Sequence, residues 1–436
     1  MERTVASLRA IPRMRISGRV VGVCGQLIES QGPPAGVGTV CRLSAQSGKQ
    51  LLAEVVGFQG KNLLLLPFGS LEGVAPGCPL EAVSEGGTFE FHPGLLGSVL
   101  DGLGRQLSGP RIPIGAGKLI QIDRDPPIPL GRPGLSEILW TGVRAIDGFL
   151  TLAKGQRVGL FAGSGVGKST LMGMLARSSR ADINVIALVG ERGREVGEFL
   201  EHQLGEEGLA RSVVVAATSD QPPLVRLRAG QLATSIAEEY RDLGMDVCLM
   251  MDSVTRVAMA AREIGLAAGE PPTTRGYPPS VFSILPRLLE RAGRTEKGSI
   301  TGLYTVLVEG DDLSEPVADT TRGILDGHIV LSRKMAEKNH YPAIDVSGSI
   351  SRVMSQVVSR EHRAAAAQGR ELLSNLAQVE ELSSLGAYRP GHAPELDRAS
   401  YLKEPLKAFL TQAEEVPCAQ HAEIVQRLEE VFAWNP

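Results

Sequence analysis

The sequence predicts a multi-domain chain: an N-terminal β-barrel, a central α/β domain on a parallel sheet, and a C-terminal helical domain. Three observations predict it. Short apolar runs broken by Gly and Pro fill the stretch from Arg15 to about Val83, the texture of a small barrel. Longer uninterrupted apolar runs alternate with helical stretches from roughly residue 90 to 350, as expected of strands buried on both faces of a parallel sheet. Beyond about residue 355 the apolar residues recur at helical spacing. A length of 436 residues also exceeds what one ordinary core fills.

Residues 1–15 read as a short arm in which Val5, Leu8 and Ile11 share a weakly amphipathic helical face. The barrel is expected over 16–87, in the runs RISGRVVGVCG, GTVCRLSA, LLAEVVGF and NLLLLPFG. The α/β domain is expected over 88–354. Its strands are RVGLFAG (157–163), INVIALVG (183–190), SVVVAAT (212–218), DVCLMMD (246–252) and ITGLYTVLV (300–308). GEPPTTRGYPPSVFSILP (269–286) is dense in Pro and Gly and reads as a long surface loop entering a helix. The helical domain is expected over 355–436. There AQHAEIVQRLEEVFAW aligns Ile424, Leu428, Val431 and Phe432 on one stripe, either core packing or a partner groove.

Composition removes several classes of function. A net charge of −4 gives no general pull toward nucleic acid or anionic lipid. Aromatic residues at 4% leave little for base stacking. Cys24, Cys41, Cys78, Cys248 and Cys418 are far apart with no C-x-x-C pair, so they read as thiols of a reducing compartment. No apolar leader opens the sequence, and no segment reaches about 18 uninterrupted apolar residues. The expected location is the cytosol, or a membrane docked from that side.

The chemistry begins at FAGSGVGKSTLMGML (161–175). A strand runs into a glycine-rich turn and a helix starts near Lys168, so the backbone N–H groups of Gly163, Ser164, Gly165, Val166, Gly167 and Thr170 converge on one anion. Lys168 reaches the β- and γ-phosphates of such a ligand, and Ser169 its magnesium ion. Ala162 stands where the G-x-x-x-x-G-K-[ST] pattern has its first Gly, ahead of the cradle. After the next strand, GERGREVGEF (190–199) puts Glu191 at a strand's C-terminal edge. There a carboxylate either polarises an attacking water or serves as a helix N-terminal residue. Arg192 and Arg194 either contact the γ-phosphate or face solvent. DVCLMMDS ends a third strand on Asp252, the Walker B form that holds the magnesium shell. The absence of N-K-x-D and L-S-G-G-Q sets aside GTPases and transporter cassettes. A Glu after the second strand and a distant Walker B Asp favour a RecA-like P-loop ATPase domain.

Longer segments carry a resemblance. ILWTGVRAIDGFLTLAKGQRVGLFAGSGVGKSTL, GERGREV, MMDSVTR, REIGLAAGEPPTTRGYPPSVFSILPRLLERAG, YTVLVEGDDLSEPVADTTRGILDGHIVLSR and HYPAIDVSGSISR resemble the rotary-ATPase catalytic family. Within it they are most similar to the flagellum-specific and type III protein-export ATPases. The resemblance runs from about Leu95 to LGAYRPG at 385–391, and PAIDVSGSIS (342–351) matches the signature of ATP synthase α/β subunits. It implies ATP and Mg²⁺ as ligands, held by Lys168, Ser169 and the loop amides. It further implies Glu191 as catalytic carboxylate, Arg192 as γ-phosphate ligand, Asp252 as Walker B acid and Tyr341 as the aromatic against adenine. Arg352 falls on the arginine that a neighbouring subunit inserts into the site. A finger supplied in trans implies a homo-hexameric ring, since head-to-tail contacts must close or run on as a filament.

The implied function is ATP hydrolysis that energises flagellar protein export, with release and unfolding of chaperoned substrates at an export gate in the inner membrane. Implied partners are a stator-like regulatory protein at the N-terminal arm, a coiled-coil rotor-like protein, the gate membrane protein, and export chaperones with their substrates. The implied location is cytoplasmic, peripheral to the inner membrane. A virulence injectisome ATPase is the near alternative. A catalytic ATP synthase subunit is more distant, because NLAQVEELSSLGAYRPG stands where its acidic D-E-L-S-E-E-D type of segment would be. An RNA-dependent helicase would need a basic, aromatic barrel face, and the barrel offers only Phe58 and Phe68. No nucleic-acid partner is expected.

Overall fold

The computed structural model describes residues 17–414 apart from 85, 114, 131, 309 and 311, together with 421–433. The predicted arm at 1–15 and Cys418 lie outside the described residues. Strands β1 (Ser17–Cys24), β2 (Leu27–Gln31), β3 (Val40–Ser44), β4 (Gln50–Gln59), β5 (Asn62–Pro67) and β6 (Pro79–Ser84) close into a barrel in the order β1-β2-β5-β4-β3-β6. In β4 the side chains of Leu51, Ala53 and Val55 are buried while Gln50 and Leu52 are exposed, the period-2 alternation of a strand with one face inward.

On β5 this alternation fails because the barrel leans on the next domain. Leu63 and Leu65 fill the barrel, whereas Leu66 and Phe68 join the cluster formed with Leu224, Val225 and Leu227. Arg228, on helix Pro223–Asp242, clamps this junction. Its Nη2 is 2.6 Å from Glu54 Oε2, and its guanidinium lies 4.6 Å from the Phe68 ring centroid. Phe68 is therefore buried under an arginine while Phe58 is 54% exposed at a hairpin tip. The two aromatics form no shared stacking face.

Strands β7 (Thr88–Phe91), β8 (Val99–Asp101), β9 (Gln106–Ser108) and β10 (Lys118–Gln121) link barrel to core, with β7 antiparallel to β10. A ribbon of β11 (Ile138–Leu139) and β12 (Leu152–Ala153) flanks helix Arg144–Phe149. The large sheet contains β13 (Arg157–Ala162), β14 (Ile183–Val189), β15 (Ser212–Ala217), β16 (Asp246–Asp252), β17 (Gly293–Arg294), β18 (Ser299–Leu307), β19 (Gly327–Leu331) and β20 (Ile344–Ser351). Its order is β20-β19-β13-β18-β16-β14-β15-β8-β9, with β17 beside β18.

The sheet expected to be parallel is parallel only in its interior. Strands β9 and β20 run antiparallel at its two edges. The turn from β8 to β9 is too short for a crossover, which takes a dozen or more residues. From β19 to β20 the chain turns back through the short helix Arg333–Glu337.

Every residue of β14 and β15 is buried, since both faces are covered. Ile186 and Leu188 pack with Leu171, Met172 and Leu175 of helix Lys168–Ser178. Val185, Ala187 and Val189 pack with Leu232 and Ile236 on the other face. The C-terminal helices Arg360–Ser384, Pro394–Leu410 and His421–Ala433 join the first face, where Phe149 and Phe409 meet edge-on at 5.9 Å. Ile424, Leu428 and Val431 are buried in that cluster and Phe432 packs against it, so the predicted stripe is core. No described helix is long and apolar enough to cross a membrane.

Candidate active site

Strand β13 ends at Ala162 and helix Lys168–Ser178 begins six residues later. Gly165 and Gly167 adopt φ of 77° and 88°, a left-handed region where an L side chain costs roughly 1–2 kcal/mol. The loop can therefore curl tightly here because glycine stands at those two positions. Ala162 is 1% exposed and packed in the core. Its methyl fills space under the loop and does not crowd a ligand.

Three charged groups converge beyond the C-terminal ends of β13, β16 and β14, with β18 between the first two. Lys168 Nζ is 2.5 Å from Asp252 Oδ1 and 3.7 Å from Glu191 Oε1. Asp252 closes β16, and its Oδ1 also accepts the Thr305 hydroxyl from β18 at 2.7 Å. Glu191 lies two residues past β14, whose Leu188 pairs with Asp252 in parallel register. Its Oε1 is buried without a hydrogen-bond partner. Burial pushes the Glu191 carboxyl up to about 7; Asp252 and Glu195 push the same way, against the pull of Lys168 and Arg256. Ser169, Glu191, Glu195 and Asp252 line a cavity of about 20 Å³, room for one water-sized occupant. These hard oxygen donors suit magnesium. Among the described residues no group of three His, Cys, Asp or Glu is placed to hold a metal alone, so an ion here would also draw on nucleotide oxygens.

The other predicted residues divide. Tyr341 lies beside the loop: a methyl built on Gly167 would stand 3.4 Å from its ring, and Tyr341 is 39% exposed. Arg192 is the first residue before helix Gly193–Glu198, but its side chain is 83% exposed and pairs with Glu195 at 3.7 Å. Arg194 pairs with Glu198 in solvent. Arg352 follows β20 at the opposite end of the sheet. Its N–H donates to Asp326 O, and Asp326 N–H donates to Arg157 O at the start of β13. Five residue steps of β13, about 16 Å at ~3.3 Å each, separate that end from the phosphate loop of the same chain. Arg352 is exposed and has no ion pair among the described residues.

Sequence reading missed Glu195, Thr305 and Arg256. Glu195 had a signal, being the second carboxylate of GERGREV and lying in the first turn of the helix that follows Glu191. Arg256 lies against Gly190, where an added methyl would come within 2.8 Å of its side chain. Thr305 had none, because only the β16–β18 register sets it beside Asp252.

Comparison with known proteins gives the family. The chain matches the ATP synthase alpha/beta family over its beta-barrel domain at 20–83 and its nucleotide-binding domain at 142–351. It matches the T3SS EscN ATPase C-terminal domain at 358–430. It is 56% identical over 402 residues, 92% of each chain, to the flagellum-specific ATP synthase of Bacillus subtilis. It is 50% identical over 413 residues, 94% of this chain and 92% of the relative, to the type 3 secretion system ATPase of Xanthomonas euvesicatoria. The assembled ATPase EscN of the enteropathogenic E. coli type III secretion system superposes with a TM-score of 0.89 at 44% identity, covering 95% of this chain and 99% of that one. EscN with its central stalk EscO gives 0.87 at the same identity and coverage. Sheet order, phosphate loop and relatives converge: the chain belongs to the ATP synthase alpha/beta family, in the branch of flagellum-specific and type III secretion ATPases.

Proposed function

We propose that this chain is the Mg-ATP hydrolase that energises a type III protein export apparatus, acting as a homo-hexameric ring whose sites are completed in trans by Arg352. The convergence of Lys168, Glu191 and Asp252 beside the phosphate loop carries the reading. The loop amides of residues 163–170 cradle the phosphates, and Lys168 swings from Asp252 to the β- and γ-oxygens. Ser169 and Asp252 would hold magnesium, which would supply positive charge to offset that of the phosphates. Glu191, partly buried and with its carboxyl near 7, takes the proton of the attacking water as the water oxygen bonds to the terminal phosphorus. The bond from that phosphorus to the bridging oxygen breaks, and ADP leaves. Tyr341 covers the base. Arg192 turns from Glu195 to the γ-phosphate when the site fills.

The place of Arg352, about the length of β13 from its own phosphate loop, supports a finger lent to a neighbour. Such a finger is worth about 10³–10⁵ in rate, roughly 4–7 kcal/mol of barrier. EscN is described as assembled and with a central stalk, which supports a ring and a stalk partner here. A gate membrane protein, chaperoned substrates and peripheral inner-membrane location complete the proposal. So does a stator-like protein on the arm at 1–15, with domains divided at 16–87, 88–354 and 355–436. Flagellar relatives span 49–56% identity and secretion relatives 48–50%; the flagellar reading rests on the 56% relative at the top of that range.

Mixing tests the shared site. Lys168→Ala rings keep a finger and lose a cradle; Arg352→Ala rings do the reverse. Each alone is expected to be nearly inactive, and an equimolar mixture to recover measurable hydrolysis. No recovery from rings shown to exchange subunits refutes the trans arginine. A Lys168→Ala strain that still swims refutes the flagellar assignment.

A further inference from the structure

We infer that Gln412 is the positioning residue that sets Tyr341 over the phosphate loop, tying the C-terminal helical domain to the base side of the nucleotide site. The inference rests on the proposal that Tyr341 receives the base, and it names how that contact is held.

Gln412 lies two residues past helix Pro394–Leu410 and is 5% exposed. Three of its polar groups are engaged across the domain boundary. Its backbone N–H donates to Tyr341 O at 2.9 Å. Its Nε2 donates to Gly142 O at 2.9 Å, and its Oε1 accepts from Arg144 N at 2.9 Å. Arg144 returns the grip, its Nη2 donating to Thr411 O and to Ala408 O. The side-chain amide thus fixes the backbone of residue 412, and that backbone fixes the carbonyl of Tyr341.

The Gly142–Arg144 turn is itself anchored to the phosphate-loop helix. Gly142 has φ of 76°, and a methyl there would come within 2.4 Å of Ser178 Cβ, so the turn packs hard against the end of helix Lys168–Ser178. The buried Asp147 carboxylate accepts from the N–H groups of Thr141 and Gly142 and from the Thr141 hydroxyl. Arg177, one residue before Ser178, pairs with Glu414 at 3.6 Å. A closed mechanical loop results. The helix holds Gly167 at its N-terminus and the turn at its C-terminus; the turn holds Gln412; Gln412 holds Tyr341; and the Tyr341 ring returns to Gly167.

Gln412 touches no phosphate, so its loss should act on the base and spare the cradle. In the full-length protein, Gln412→Leu keeps the volume and removes both side-chain hydrogen bonds. It is expected to weaken Mg-ATP binding about fivefold to tenfold, the worth of one well-placed hydrogen bond. Affinity for magnesium tripolyphosphate, which has no base, should stay within about twofold, and saturating kcat should change less than KM. Gln412→Glu keeps the acceptor for Arg144 and should fall between wild type and Gln412→Leu; it serves if the leucine variant does not fold.

Equal weakening of both ligands, or unchanged ATP affinity, overturns the inference. Tyr341→Ala separates it from its premise. If that variant binds ATP as wild type does, the base-site reading falls and takes this one with it. If Tyr341→Ala weakens ATP and Gln412→Leu does not, only the positioning role falls.

Discussion

Lys168 Nζ sits 2.5 Å from Asp252 Oδ1, and the same oxygen takes the Thr305 hydroxyl at 2.7 Å. In the proposed reading, the lysine assigned to phosphate is thus paired with the acid assigned to metal. On that reading, binding of Mg-ATP is expected to part them and leave the Thr305 hydroxyl to orient the carboxylate.

Thr305→Val removes that hydroxyl at nearly constant shape on a strand that favours β-branched residues. A hydrogen bond to a charged group is worth about 1.5–3 kcal/mol, so catalysis should fall roughly tenfold to a hundredfold. The magnesium concentration for half-activity should rise, and the melting temperature should fall modestly because Asp252 loses a buried partner. Magnesium titrations of hydrolysis check this; an unchanged half-point would mean that Thr305 does not set the carboxylate.

Glu191 should link pH to both rate and stability. Its folded-state pKa is raised from the ordinary carboxyl value of 4.5 to about 7, so the folded protein holds this proton more tightly than the unfolded chain. Its stabilising contribution is present below about pH 4.5 and is lost as pH rises through about 7. Glu191→Gln has no charge to bury. The nucleotide-free variant should therefore be more thermostable than wild type at pH 8, by a margin that narrows toward pH 6, while being catalytically dead. Wild-type hydrolysis should rise with pH through about 7. Melting curves at both pH values decide the first point, and a margin that widens toward pH 6 would contradict the sign.

Arg228 should decide whether barrel and core unfold together. Its loss strands Glu54, whose carboxyl burial already pushes up against the opposing pull of Arg228. Removing one partner of a buried pair typically costs about 3–5 kcal/mol. With 13% and 18% side-chain exposure for Arg228 and Glu54, about 2–3 kcal/mol is expected for Arg228→Ala. Calorimetry should show the barrel melting as an earlier, separate transition. A single transition at the wild-type temperature would show that apolar contacts at Leu66 and Phe68 suffice.

Much of the architecture was legible because it is local. Continuous apolar runs mark strands covered on both faces, and RVGLFAG, INVIALVG and DVCLMMD became β13, β14 and β16 within a residue of their expected ends. The glycines at 165 and 167 announce positive φ wherever the chain goes, because only a residue without Cβ enters that region cheaply. Lys168, Glu191 and Asp252 were named as partners because each ends or follows a strand of one parallel sheet, and such ends gather on one edge.

What the sequence by itself determined is therefore the set of elements and the chemistry each carries. Tertiary structure decided the distances between them, through register and packing. Thr305 reaches Asp252 only because β18 pairs with β16 in one register, and Gln412 reaches Tyr341 only because two domains close on one turn. Arg352 ends up a strand's length from its own loop because β20 runs antiparallel at the sheet edge. Contacts across many tens of residues leave no periodic trace in sequence, since their spacing is set by how side chains fill the space between elements.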